Sequence, residues 1–120
     1  TGGALDDRIM GGVGADTLSG GGGDDWLHDG GGADVLTGGA GADVFVFARD
    51  GAGDRVMDFQ DGLDRFDVSD WGRIYSRDAL TIISTPTGAE ISYGAERVII
   101  TSANGASLET SLFTDADFLF

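Results

Sequence analysis

Apolar residues in the first 46 positions recur every nine places: Ile9, Leu18, Leu27, Leu36 and Phe45. That spacing matches neither the period of a helix (about 3.6 residues) nor the alternation of a long strand. It marks an internal repeat. Set in phase, the chain reads GGALDDRIM (2–10), GGVGADTLS (11–19), GGGGDDWLH (20–28), DGGGADVLT (29–37) and GGAGADVFV (38–46). The second position is always Gly, the sixth always Asp (Asp7, Asp16, Asp25, Asp34, Asp43) and the eighth always apolar. Leu5 replaces Gly at the fourth position of the first unit, and Asp29 replaces Gly at the first position of the fourth.

Six Gly-rich residues predict a loop, because Gly reaches positive φ and lets backbone carbonyls converge. The last three residues of each unit predict a strand of about 10 Å. Within it the eighth residue faces one way and its neighbours the other. Ile9, Leu18, Leu27, Leu36 and Phe45 therefore form an interior ladder. So short a strand buries nothing alone, but stacked turns do.

Beyond the array, VFVF (44–47) predicts an apolar strand. A short helix is expected over 73–80 with Ser76 as its N-cap. LTIIST (80–85), PTGA (86–89), EISYG (90–94) and ERVIITS (96–102) predict strand, turn, strand and strand in antiparallel order, with Ile82, Ile91, Tyr93, Val98 and Ile100 in the core.

Composition sharpens the picture. The net charge is −14, and 18 of the 21 acidic residues are Asp. A short carboxylate suits a tight turn that must present an oxygen to a cation. The same field repels phosphates, so no nucleic-acid partner is expected. The absence of Cys excludes thiolate metal sites and disulfides. His28 is the only His and reads as a strand-surface residue, because a zinc site would need further N or S ligands. No HExxH motif is present, and the carboxylates follow the repeat phase rather than forming a catalytic pair. A flexible linker would need no Asp or Leu at fixed phase. An EF-hand over Asp50, Asp54, Asp58 and Asp61 fails because Arg55 stands where the loop needs Gly.

The five units resemble the RTX (repeats-in-toxin) nonapeptide, GGxGxDxUx with U a large apolar residue, a known calcium-binding repeat. The resemblance implies an all-β fold, a right-handed parallel β-roll (β-helix) in which two repeats make one turn. Loop n then lies over loop n+2 with Ca²⁺ between them. It implies that Gly3, Leu5 and Asp7 face Gly20, Gly22 and Asp25. Gly12, Gly14 and Asp16 would face Asp29, Gly31 and Asp34. Gly21, Gly23 and Asp25 would face Gly38, Ala40 and Asp43. Each set offers about six oxygens, carbonyls plus the Asp carboxylates, which suits Ca²⁺. The first site is the weakest expectation, since Leu5 tolerates positive φ poorly.

Residues 51–72 resemble the closing segment of RTX regions in serralysin-type secreted proteins, through Asp54, Val56, Asp58, Phe59, Gly62, Asp64, Phe66, Asp67, Val68 and Ser69. That resemblance implies a fourth site closed by Asp54 against Gly30, Gly32 and Asp34, for about four ions in all. Read by themselves, Asp58, Asp61, Asp64 and Asp67 are turn and capping residues on a solvated edge. The tail Asp117, Phe118, Leu119 and Phe120 resembles the uncleaved C-terminal signal of proteins exported by type I ABC machinery. Its plain alternative is a last strand packed into the cap.

These readings give a calcium-binding β-roll over 1–47 and a small antiparallel β cap with an export signal over 48–120. The chain is expected to be a monomeric, non-catalytic C-terminal piece of a longer secreted bacterial protein, with the exporter and an upstream domain as partners. Any catalytic part would lie upstream. The alternatives are a calcium-stiffened adhesin or surface-layer module, and an accessory domain of an extracellular protease, lipase or alginate epimerase. An aromatic stripe around Trp26 and Trp71 would favour the adhesin. Trp26, Val44 and Val46 lie on the more apolar outward face, and either the C-terminal segment or an N-terminal domain upstream is expected to cover them.

Overall fold

The computed structural model describes residues 2–49, 53–60, 63–68, 71, 80–94, 96–103, 108 and 118–119. Among these residues eleven strands form two sheets: β1 (Arg8–Met10), β2 (Thr17–Gly22), β3 (Trp26–His28), β4 (Val35–Ala40), β5 (Val44–Val46), β6 (Gly53–Phe59), β7 (Arg65–Asp67), β8 (Thr81–Thr85), β9 (Gly88–Tyr93), β10 (Glu96–Ser102) and β11 (Phe118–Leu119). Odd strands of the array lie in one sheet, in the order β1-β3-β5-β7-β11, and even strands in the other, in the order β2-β4-β6-β10-β9-β8. All neighbours in the first sheet pair in parallel. The fold is thus an all-β parallel solenoid of about three turns, the β-roll that the repeat phase requires.

Register follows the repeat. Leu18 stands opposite Leu36, and Ile9, Leu27 and Phe45 align with Phe66 across the other sheet. Leu27, Leu36 and Phe45 are fully buried. Ile9 is only partly buried, having an inner neighbour on one side alone. One expectation needs correcting: β2 and β4 run six residues, not three. They continue into the next loop because Gly21 and Gly22 pair with Gly39 and Ala40. The glycines let two backbones meet without side chains between them.

The antiparallel cap forms as the alternation of 80–102 requires, with Ile91, Val98 and Ile100 buried and Ile82 and Tyr93 packed against them. It joins the roll edge-on. β10 pairs in parallel with β6, which itself pairs with β4, so the even sheet is continuous from repeat to cap. One core cluster spans both and is densest around Phe66, whose ring stacks on Phe59 at 4.7 Å and meets Phe45, Phe47 and Phe118 within about 6 Å. The short helix expected over 73–80 lies outside the described residues, save Leu80. Among the described residues no helix is long and apolar enough to cross a membrane.

On the outer face of the odd sheet, Trp26 and Val44 are half-buried and Val46 is buried, so none of the three stands open to solvent. The Arg8 guanidinium covers Trp26 at 4.4 Å from its ring centroid. Trp71 is 2% exposed within the core and cannot join an exposed aromatic stripe. His28 sits half-buried beside Trp26, their rings 5.7 Å apart.

Candidate metal centre

The loops stack at a pitch of two repeats. Gly31 N–H donates to the Gly12 carbonyl at 2.7 Å, Gly14 N–H to the Gly31 carbonyl at 2.8 Å, and Gly22 N–H to the Gly3 carbonyl at 2.9 Å. The glycines at positions two and four of repeats two to five all have positive φ, from Gly12 to Gly41. The first loop differs. No described non-Gly residue has positive φ, and Leu5 is 79% exposed. The stacking also forbids side chains. A Cβ on Gly39 would collide with the Gly21 carbonyl oxygen, and one on Gly20 would strike both the Asp25 carboxylate and the Gly38 carbonyl.

The invariant aspartates form a ladder through this stack. From the third repeat onward, each uses Oδ1 to accept the N–H of the Asp one layer before. Asp7 N–H donates to Asp25 at 2.8 Å, Asp16 N–H to Asp34 at 2.7 Å and Asp25 N–H to Asp43 at 2.9 Å. The ladder runs on past the repeats, from Asp34 N–H to Asp54 and from Asp43 N–H to Asp64, each at 2.9 Å. The second oxygen has a different fate along the ladder. In Asp16, Asp25 and Asp43, Oδ2 is buried and accepts no hydrogen bond. At the two ends of the row that runs Asp7, Asp25, Asp43, Asp64 it turns back on its own loop: Asp7 Oδ2 accepts Gly3 N–H at 2.6 Å, and Asp64 Oδ2 accepts Gln60 N–H at 2.8 Å.

Two assignments change. Asp64 is not on a solvated edge but buried, as the last rung of the ladder. Asp58 reaches back to the fifth loop, accepting from Gly38 N–H at 2.9 Å and Gly39 N–H at 2.7 Å. Spacing could have found Asp64: it follows Asp43 by 21 residues, as Asp54 follows Asp34 by 20, where the repeats keep 18. The longer connections hide the period. Asp61 lies outside the described residues. So do Asp117 and Phe120, whereas Phe118 is buried against Phe66 in β11.

Asp29 also engages through its side chain. Its Oδ1 accepts Gly30 N–H at 2.6 Å and Ala48 N–H at 2.8 Å. Its carboxylate lies with those of Asp34 and Asp54, one oxygen of each within 4.8 Å of the others.

These carboxylate and carbonyl oxygens fit a hard divalent cation, and the buried Oδ2 atoms of Asp16, Asp25 and Asp43 lack donors, a costly state for an ionised group. Electrostatics agree. Burial raises the Asp43 carboxyl above its ordinary value, and the charges of Asp25, Asp58 and Asp24 add to this, against a hydrogen bond from Asp25 that lowers it. Burial likewise pushes Asp64 up to about 6. A cation among these groups would favour their charged forms and lower both values.

Glycine loops stacked every second repeat, with inward carboxylates short of donors, define a calcium-binding roll. Residues 1–28 and 19–51 match the family of the RTX calcium-binding nonapeptide repeat (4 copies), and these segments of the chain are RTX repeats. Proteins with such repeats are generally secreted by bacteria. No curated protein sequence matches the chain. Among solved structures, the chain is similar to two subunits of the Azotobacter vinelandii mannuronan C5-epimerase. The AlgE6R2 subunit is 26% identical with a TM-score of 0.67, over 98% of this chain and 89% of that one. The AlgE6R3 subunit is also 26% identical, with a TM-score of 0.61, over 100% of this chain and 81% of that one.

Proposed function

We propose that this chain is a calcium-triggered folding module that stays unfolded in the low calcium of the cytosol and folds after export. The observation that carries the reading is the aspartate ladder, whose buried Asp16, Asp25 and Asp43 oxygens lack donors. Calcium between loops 1–3, 2–4 and 3–5, and between loop 4 and Asp54, would bring the net charge from −14 toward roughly −6. Because only the folded chain presents these oxygens together, binding energy becomes folding energy. Extracellular modules of this kind work at about 0.1–1 mM calcium, far above cytosolic levels.

In this reading residues 1–47 are the calcium-dependent roll and 48–120 the cap that closes it. Asp117–Phe120 would be read by a type I exporter before folding, and Phe118 would then pack into the core. The module itself is non-catalytic and serves a larger secreted protein. A second reading, an accessory module of a polysaccharide-modifying enzyme, is favoured by the end-to-end likeness to the two epimerase subunits.

Circular dichroism of the full chain in chelator should show much of the β signal lost, with a calcium-triggered gain. Calorimetry should count about four ions. A chelated chain with its full β signal would overturn the proposal.

A further inference from the structure

We infer that the junction between loop 4 and β6 is a three-carboxylate calcium site, in which the Asp29 side chain is the added ligand, and that it holds its ion longest. The inference rests on the calcium reading above.

At the first position of a repeat, a side chain has almost nowhere to go. A Cβ on Gly11 would strike the Asp29 carbonyl oxygen and one on Gly2 the Gly20 carbonyl oxygen, in both cases crowding the Asp of its own loop as well. A Cβ on Gly38 would strike the Asp43 carboxylate and crowd the Phe45 ring. Each such glycine leaves room for the oxygens around the cation. Asp29 occupies the same position and is 0% exposed. What lies beyond it is no longer a nonapeptide loop. There the neighbour is the Ala48 N–H, a donor in place of a carbonyl, and it holds Asp29 Oδ1 at 2.8 Å. The Gly30 N–H holds the same oxygen from its own loop.

Asp29 therefore serves two layers. Its backbone carbonyl points back toward loop 2, against Gly11, while its carboxylate faces forward toward Asp54. Asp34 and Asp54 complete the group, and all three are at most 2% exposed. Junctions within the array have two ladder carboxylates each. Here a third negative group shares the same dry space. Calcium affinity rises with the charge and rigidity of the ligand set. The ion also sits where β4 pairs with β6, so it couples the array to the strands that follow.

The test is chelator-triggered release from the calcium-loaded full chain, followed with a fluorescent chelator in a stopped-flow instrument. Starting from the folded state separates ion release from folding. The loaded chain should lose most of its ions in faster phases and about one in a phase at least about tenfold slower. Asp29→Asn keeps an acceptor for Gly30 and Ala48 but removes the charge, and should abolish the slow phase. Asp29→Gly restores the repeat's own residue and should abolish it too. If Asp29→Asn does not fold in millimolar calcium, Asp29→Gly alone decides. A slow phase retained in Asp29→Asn overturns the inference, since only the hydrogen bonds would then matter. So does a slow phase retained in Asp29→Gly. A loaded chain that carries no stoichiometric calcium would instead defeat the calcium reading itself.

Discussion

Between residues 2 and 46, each repeat gives the core one large side chain: Ile9, Leu18, Leu27, Leu36 or Phe45, set among Gly and Asp. From residue 47 onward the strands of the same two sheets, with the residues that flank them, bring Phe47, Phe59, Phe66, Val68, Trp71, Ile91, Val98, Ile100 and Phe118 into one cluster. The two sheets are shared, but the source of stability is not. The array gives the core one large side chain per repeat and gathers like charges, so on the proposed reading an ion offsets both the chain entropy and the repulsion. Beyond the ladder, β8 to β10 hold no aspartate and bury Ile91, Val98 and Ile100 instead. Calcium dependence should therefore be graded along the molecule.

The largest expected effect follows. As free calcium is lowered, amide protection in β2 and β4 should collapse while β9 and β10 still exchange slowly. Hydrogen exchange read by mass spectrometry over a calcium series resolves the two regions. If both lose protection at one calcium level, the graded picture fails and the chain is a single cooperative unit.

The next effect concerns the seam. Phe66 is buried where the last turn of the roll meets β11, against Phe45, Phe47, Phe59 and Phe118. Phe66→Ala should cost about 3–5 kcal/mol in saturating calcium, measured by denaturant unfolding. A loss below about 1 kcal/mol would mean that the seam collapses around the gap and carries little of the fold.

The sequence reveals the array well and its closure poorly, for a physical reason. Within the array, one period sets loop, strand and interior at once, so Leu27, Leu36 and Asp25 can be placed from spacing alone. The six-residue length of β2 and β4 is hidden, because Gly carries no strand propensity of its own and pairs there only because another glycine loop lies beside it. The antiparallel strands are readable from alternation in 80–102, but their parallel join to β6 is not, since it depends on a contact across some 40 residues. Asp64 escapes the pattern because the connection before it is three residues longer than the repeat's 18-residue layer. Asp29 stands out as a departure, but its added duty depends on Ala48 N–H facing it, which no local pattern announces.

The smallest effect tests the stacking itself, through two glycines on either side of that comparison. Gly39 lies in the fifth loop with φ of 92°, and a Cβ there would run into the Gly21 carbonyl oxygen one layer below. Gly39→Ala should cost about 1–3 kcal/mol from backbone strain. It should also weaken calcium binding between loops 3 and 5, because relief of the clash must lift the two loops apart. Gly53 begins β6 just outside the array and is exposed, and apart from its chain neighbours no atom lies within 4 Å of where its Cβ would stand. Gly53→Ala should change stability by no more than about 0.5 kcal/mol and leave calcium titration unaltered. Paired calcium titrations and unfolding curves of the two variants give the contrast directly. Equal behaviour of the two would mean that loop stacking is loose, and that the glycines serve only to turn the chain rather than to bring carbonyls of successive layers to one ion.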